Sequence, residues 1–195
     1  QIVLLLCDTC ATVEEAKHCL LSIKQFYQYV PCHYIIADAS GHSFVYENST
    51  GRNHSIIVDG GGDPQVCTNH QVYHYRMDAI PELSMQTNSQ WRYATLHNRV
   101  NLQDQFTVDE MRENSASVSV KHLIKEMLNS PDFLSIAANV NSRTLWYALY
   151  DLTERTVQID FYLNSNVTAS GEYEEVRSSV YKFHVPSVEV LAPIS

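Results

Sequence analysis

Two pairs of short β-prone runs, each joined by a tight turn, limit the folds open to this chain more than any other feature. The first pair, Cys32–Ala37 and Ser43–Glu47, is separated by a link that contains Asp, Ser and Gly. These residue types supply the side-chain hydrogen bonds and the positive φ angle that a tight reversal needs. The second pair, Thr144–Leu152 and Thr156–Leu163, is separated by only three residues. Both pairs are therefore predicted β-hairpins, in which the strands are antiparallel.

Helix signals lie before and between these hairpins. Thr12 followed by Glu15 is a capping-box pattern, and apolar residues recur at helical spacing as far as Tyr27, which predicts a helix from about Thr12 to Tyr29. The same criteria predict helices at Gln90–Leu102 and Val118–Leu128, and a second capping box at Thr107–Glu110.

The remaining segments complete an α+β order. Further strands are predicted at Ser55–Asp59, Val66–Thr68 and Val176–Val185, and the opening Ile2–Leu6 run is interpreted as a buried strand or the end of an earlier element. The stretch Asn69–Asn88 has no sustained period and is predicted to be a long loop. Helices and strands that occur in separate groups favour an α+β layered fold with an antiparallel sheet over alternating βαβ units.

Length and charge exclude several classes of protein. The 195 residues fit one domain, residues 1–195, and the net charge of -9 argues against partners that are nucleic acids or acidic membrane surfaces. No stretch approaches the roughly 20 apolar residues of a membrane span. We therefore expect a soluble, mildly acidic globular domain, and we leave open a homo-oligomer.

The cysteines suggest a compartment but no metal site. Five cysteines are an odd number, which favours reduced thiols and hence a cytoplasmic protein, although the localisation stays open. Cys67, His70 and His74 offer three ligands in a C-x2-H-x3-H pattern, whereas a structural zinc site normally needs four. We predict no metal and no cofactor.

Three motifs carry a family resemblance. In chain order, they are Cys32–Gly41 with Ser43–Glu47, Thr68-Asn69-His70 and Ser89-Gln90-Trp91-Arg92-Tyr93. Together they resemble the choloylglycine hydrolase and acyl-CoA:penicillin acyltransferase superfamily of cysteine N-terminal-nucleophile (Ntn) hydrolases. The resemblance implies the C-terminal portion of an αββα layered sandwich, with helices packed on an antiparallel sheet.

The resemblance also implies site residues. Asn69 matches the oxyanion-hole asparagine of the family and Arg92 matches its active-site arginine, so both are candidate catalytic residues. His70, Tyr73 and Trp91 are candidate substrate-binding residues. If these roles hold, the side chains of Asn69 and Arg92 converge to within about 12 Å, near enough to reach one reacting group.

The nucleophile of the family's reaction is missing from this pattern. The family uses a cysteine at the first position of the mature chain, whereas this sequence begins with Gln1 and none of its cysteines has that context. The chain is thus predicted to be inactive alone and to work with a missing N-terminal portion or a companion chain that carries the nucleophile. The implied reaction is hydrolysis of a linear amide or transfer of its acyl group. The alternative is a degenerate member or a non-catalytic protein that binds small molecules.

Overall fold

The computed structural model describes residues 2–24, 32–48, 54–75, 80–81, 83, 87–119, 144–167 and 173–186. These residues contain four helices: α1 (Ile2–Thr9), α2 (Val13–Ser22), α3 (Asn88–Val100) and α4 (Val108–Ala116). They also contain seven strands: β1 (Tyr34–Ala37), β2 (Ser43–Asn48), β3 (Ser55–Gly61), β4 (Trp146–Asp151), β5 (Thr156–Val167), β6 (Tyr173–Arg177) and β7 (Tyr181–His184). Every strand pairing is antiparallel, so the predicted α+β class is confirmed.

The chain divides into two compact units, Gln1–Thr107 and Val108–Ser195. Each unit has its own sheet, and the candidate site residues all belong to the first unit. The single domain predicted from chain length stays a prediction. Among the described residues, no helix combines the length and the apolar character needed to cross a membrane.

In the first unit, strand β2 lies between β1 and β3. Its residues from Ser43 to Glu47 are all buried, because the strand has neighbours on both edges and cover on both faces. On one face, helices α1 and α2 pack against it and form the hydrophobic core. The buried members of this core are Leu6, Val13, Ala16, Leu20, Phe44 and Tyr46.

Local hydrogen bonds explain why α2 lies where it does. The hydroxyl of Thr12 accepts from the backbone N–H of Glu15, and the Glu15 carboxylate accepts from the N–H of Thr12, which confirms the predicted capping box. Asp38, in the turn between β1 and β2, accepts a hydrogen bond of 2.9 Å from the N–H of Val13. The turn of the first hairpin is therefore joined directly to the start of helix α2.

In the second unit, β5 pairs with β4 along one edge and with β6 and β7 along the other. Tyr150, Val157 and Phe183 are register partners across three strands, so they share one face of this sheet. On the other face, Arg112 of α4 reaches Asp160 of β5. The sheet thus has one face that carries a helix and one that presents aromatic side chains.

Asp160 lies at the centre of a buried ionic network. Its carboxylate accepts from Arg112 and Arg177, and Arg177 in turn pairs with Glu175 at 3.4 Å and covers the ring of Tyr147 at 4.2 Å from its centroid. Buried charges are tolerated only when they are paired and hydrogen-bonded, and this arrangement provides both. The sequence patterns did not indicate this network.

Several predicted elements differ from the structure. Ile2–Leu6 belongs to helix α1 and not to a strand, and Leu6 is the residue by which this helix enters the core. Helix α2 ends at Ser22 because Ile23 takes an extended conformation, and residues 25–29 of the predicted helix lie outside the described residues. Val66–Thr68 forms no strand.

The C-terminal strand run and the third predicted helix also differ from the prediction or extend beyond the described residues. The run predicted at Val176–Val185 is two strands, β6 and β7, which pair with different parts of β5. The helix predicted at Val118–Leu128 lies outside the described residues from residue 120 onward. The two hairpins, the third strand and the helix predicted at Gln90–Leu102 are confirmed in place.

Candidate active site

Asn69 and Arg92 are in direct contact. Asn69 is an exposed residue in the loop that follows β3, and Arg92 lies in the second turn of α3. The guanidinium Nη2 of Arg92 donates a hydrogen bond to Oδ1 of Asn69, and its Nε donates to Oδ1 of Asn88 at 2.8 Å. The two side chains that the sequence predicted to converge therefore do so, although their catalytic roles stay a prediction.

This contact fixes which end of the Asn69 amide is open. A guanidinium has only donors, so the oxygen of the amide must face it and the Nδ2 group must point elsewhere. Within the described residues, Nδ2 of Asn69 has no hydrogen-bond partner. Burial lowers the pKa of Arg92 below its usual value, but an arginine remains protonated at neutral pH. The pair thus combines an amide donor without a partner and a permanent positive charge.

The residues on both sides of Asn69 are held by Ser89, at the start of α3. The hydroxyl of Thr68 donates to the backbone carbonyl of Ser89 at 3.0 Å. The backbone N–H of His70 donates to the Ser89 hydroxyl at 2.9 Å. Since Thr68 and His70 flank Asn69, these bonds fix its backbone against the helix that carries Arg92.

His70 contacts the interior of the first unit. Its Nδ1 lies 2.9 Å from the Ser89 hydroxyl, and its ring packs edge-on against Tyr75 and Tyr93, with centroids 4.5 and 5.4 Å away. Burial lowers the pKa of His70, and the charge of Arg92 acts in the same direction. The buried Nε2 has no partner among the described residues. These contacts give the ring a packing position, and its predicted contact with substrate stays a prediction.

Glu47 supports the same loop from the sheet. Its side chain is fully buried at the end of β2, and Oε1 lies 2.9 Å from Nδ1 of His33. Oε1 also accepts from the N–H of Val72 at 2.6 Å, and Oε2 accepts from the N–H of Tyr73 at 3.2 Å. In the sequence, Glu47 belongs to the hairpin motif, and nothing in that local pattern indicates its contacts with this loop.

Tyr73 and Trp91 differ in exposure. The ring of Tyr73 is 55% exposed and packs edge-on against His74, with centroids 4.9 Å apart. Trp91 is half-buried, on the same helix as Arg92. Tyr73 is therefore available to an incoming ligand, while its backbone is held by Glu47.

No cysteine has the environment of a nucleophile at this site. Cys67, two residues before Asn69, is half-buried, and its partial removal from solvent together with the charge of Glu47 raises the pKa of its thiol to about 11. A thiol attacks as the thiolate, so a raised pKa suppresses reactivity. Cys7 and Cys32 are exposed, and none of the five cysteines forms a disulfide.

The histidines of the C-x2-H-x3-H pattern have neighbours other than metal ligands. Among the residues that the structure describes, no group of three His, Cys, Asp or Glu side chains is placed to hold a metal ion. His70 directs its Nδ1 to hydroxyl groups, and His74 packs against Tyr73.

A protein-family model matches most of the chain. The family model described as acyl-coenzyme A:6-aminopenicillanic acid acyl-transferase matches residues 2–166, which include every candidate site residue. No curated protein matches the chain.

Proposed function

The chain belongs to the acyl-coenzyme A:6-aminopenicillanic acid acyl-transferase family, within the choloylglycine hydrolase superfamily of Ntn enzymes, and from that premise we propose that it supplies the oxyanion-binding side of an amide-cleaving active site. The substrate is a linear amide, and the acyl group passes either to water or to another amine. The nucleophile comes from an N-terminal portion or companion chain that begins with cysteine.

The observation that carries this proposal is the orientation of the Asn69 amide. Arg92 occupies Oδ1 of Asn69, so Nδ2 is left as a donor on an exposed part of the loop. An oxyanion site needs donors that are held in place before charge develops, and each such donor contributes on the order of 3 kcal/mol to the stability of the transition state. Asn69 meets that need, because its side chain and both neighbouring residues are fixed.

The proposed reaction proceeds through an acyl-enzyme. The sulfur of the companion's cysteine attacks the amide carbon, and its α-amino group takes the thiol proton. The carbonyl oxygen becomes negative and accepts a hydrogen bond from Nδ2 of Asn69, while the charge of Arg92 stabilises the same oxygen through the amide. The C–N bond then breaks, the leaving amine takes the proton, and a thioester forms. Water or a second amine attacks the thioester and restores the thiol.

The test is reconstitution with the companion. The chain would be produced together with the segment that begins with cysteine, and a panel of acyl amides would be assayed for release of the amine. Asn69→Ala should lower kcat by about 10²- to 10³-fold, the usual effect of removing one oxyanion donor. The matched control is Asn98→Ala, an exposed asparagine of α3. Full activity in Asn69→Ala, or activity that survives alkylation of the companion's cysteine, would contradict the proposal.

A non-catalytic binding protein is the second candidate function. It is favoured by Tyr73, which is 55% exposed beside a loop that has no reactive thiol. In that case, acyl amides would bind to the assembled protein with a measurable heat by calorimetry, but no amine would be released. Tyr73→Ala would weaken the binding, whereas Asn69→Ala would leave it unchanged.

A further inference from the structure

Glu47 is a fully buried carboxylate that accepts hydrogen bonds from the loop that carries Asn69. Its relative exposure is 0%, and it ends the buried run of β2. The donors that face it are Nδ1 of His33 at 2.9 Å and the backbone N–H groups of Val72 and Tyr73 at 2.6 and 3.2 Å. The last two belong to the loop that carries Asn69.

A buried carboxylate with three donors restricts the groups that donate to it. Removing a charge from water is strongly unfavourable unless hydrogen bonds replace the lost hydration. If the loop moved away, the buried carboxylate would lose two of its donors, so the loop is held in place. Backbone N–H donors have no freedom of their own, unlike side-chain donors. Their bonds to Glu47 therefore fix the path of the main chain at residues 72 and 73.

The loop is consequently held at two places. On the helix side, Ser89 bonds to Thr68 and His70. On the sheet side, Glu47 bonds to Val72 and Tyr73. Asn69 lies within the first attachment, between Thr68 and His70, and the second attachment begins only three residues later, at Val72.

We infer that Glu47 is a positioning residue for the Asn69 amide, acting through the backbone of Val72 and Tyr73. The inference rests on the proposed function only where it gives the Asn69 amide a catalytic role. Whether Glu47 positions this amide can be measured in this chain alone. The rival interpretation is that Glu47 simply stabilises the core of the first unit. The two interpretations differ in what happens at Asn69 when the carboxylate is replaced without unfolding.

The first measurement uses the unchanged chain. The amides of Val72 and Tyr73 lie outside any helix or strand, yet they should exchange hydrogen with solvent at least 100-fold more slowly than an unprotected loop amide. If these two amides exchange as freely as an open loop, the inference is overturned without any mutation. This result does not depend on how well a variant folds.

The second measurement uses Glu47→Gln, which keeps the shape of the side chain but replaces one acceptor oxygen by a donor. Exchange at Val72 or Tyr73 should accelerate at least tenfold, while exchange at Val45 in the middle of β2 should stay within about threefold. The side-chain NH2 signals of Asn69 in a nitrogen–proton NMR spectrum should shift. The matched control is Glu14→Gln, an exposed glutamate of α2, which should leave these signals unchanged. A folded Glu47→Gln chain with unshifted Asn69 signals would overturn the inference.

The third measurement uses the protein assembled with its companion. Glu47→Gln should lower kcat about tenfold or more and leave KM within about twofold, because the amide donor matters more in the transition state than in substrate binding. Glu47→Asp, which keeps the charge, should recover part of the loss. A purely structural role would instead lower the amount of active protein and leave kcat per folded molecule unchanged, which would count against positioning.

The outcomes for the two proposals are separable. If the assembled wild-type protein cleaves no amide but Glu47→Gln still shifts the Asn69 signals, the proposed function fails and the positioning role stands. If the assembled protein is active but the Asn69 signals do not move, the positioning role fails and the proposed function stands.

Discussion

The chemical asymmetry of an asparagine side chain matters at position 69. An amide presents an acceptor and a donor, and a neighbour that only donates determines which of them remains available. Arg92 is such a neighbour, since its Nε donates to Asn88 and its Nη2 donates to Asn69. A lysine could not take its place, because a single ammonium nitrogen lacks the fixed, planar arrangement of donors that a guanidinium has. A single arginine therefore fixes the polarity of the candidate site.

Cys67 gives a prediction at the residue scale. Burial raises the pKa of its thiol to about 11, so at pH 8 only about 0.1% of it is thiolate. Iodoacetamide at pH 8 should therefore label Cys67 at least about 100-fold more slowly than the exposed Cys7 and Cys32, as measured by peptide mass spectrometry. Labelling of Cys67 should accelerate as the pH rises toward 11. Equal rates for all the cysteines in the folded chain would refute the prediction, and equal rates after denaturation serve as its control.

The sequence identified some of these residues and missed others for a physical reason. Asn69 and Arg92 belong to short motifs that can be recognised without knowledge of their neighbours. The roles of Glu47 and Ser89 depend on what faces them in space, namely backbone N–H groups 26 and 19 residues away in sequence. No local pattern records which main-chain N–H a buried carboxylate will accept from.

At the scale of elements, Asp38 joins the first hairpin to α2 and makes that junction sensitive to pH. The hydroxyl of Ser40 and the N–H of Val13 donate to its carboxylate and lower its pKa from 3.8 to about 2. A lowered folded-state pKa stabilises the fold above the unfolded-state pKa, and this contribution is lost as the pH falls. We expect Asp38→Ala to lower the stability of the first unit by about 1 kcal/mol at pH 7, as for other lost helix-end acceptors.

The difference between Asp38→Ala and the parent should shrink as the pH falls from about 4 to about 2. Unfolding can be followed by Trp91 fluorescence in a Trp146→Phe background, since the two tryptophans of the chain lie in different units. Asp104→Ala, at an exposed carboxylate, is the control and should have no such effect. A difference that stays constant from pH 7 to pH 2 would show that Asp38 does not act through its charge.

The second unit depends on Asp160 in a comparable way. Asp160→Asn keeps the shape of the side chain, but it removes the buried carboxylate between Arg112 and Arg177 and leaves Arg177 with Glu175 at 3.4 Å. Breaking one partner of a buried ionic network typically costs about 3–5 kcal/mol. Denaturant unfolding, followed by Trp146 fluorescence in a Trp91→Phe background, should show a loss of this order. Glu154→Gln, at an exposed turn residue, should change little, and a loss below about 1 kcal/mol in Asp160→Asn would contradict the prediction.

Elements with strong local signals were predictable, and elements that depend on distant partners were not. The first hairpin has a turn whose Gly41 takes a φ of +87°, the conformation that its glycine allows. By contrast, the five apolar residues Ile2–Leu6 are too short for their period to distinguish a helix from a strand. The run at Val176–Val185 splits because β5 is long enough to pair with two separate strands along one edge.

At the scale of the whole molecule, the second sheet leaves its aromatic face exposed. Trp146, Tyr150 and Phe183 are 57%, 68% and 55% exposed. Exposed apolar patches of this kind bind apolar dyes and mark surfaces that associate with other molecules. The chain alone should therefore enhance the fluorescence of anilinonaphthalene sulfonate, and the double variant Tyr150→Lys with Phe183→Lys should remove more than half of the enhancement.

The control for this dye experiment is Leu102→Lys, which replaces a single residue that is 80% exposed in the first unit. It should leave the dye signal nearly unchanged, because an isolated apolar residue offers little area. If the companion predicted from the sequence covers the aromatic face, adding it should also lower the signal. A parent chain that does not enhance the dye would contradict the prediction.

The hydrogen bond from the backbone of His70 to Ser89 has a consequence for how long a preparation of this protein lasts. Asparagines age by deamidation, in which the backbone nitrogen of the next residue attacks the side-chain carbonyl and closes a five-membered succinimide ring. Here that nitrogen is directed toward the Ser89 hydroxyl, and the carbonyl of Asn69 is held by Arg92. The bonds that orient Asn69 therefore also slow its conversion to aspartate during storage.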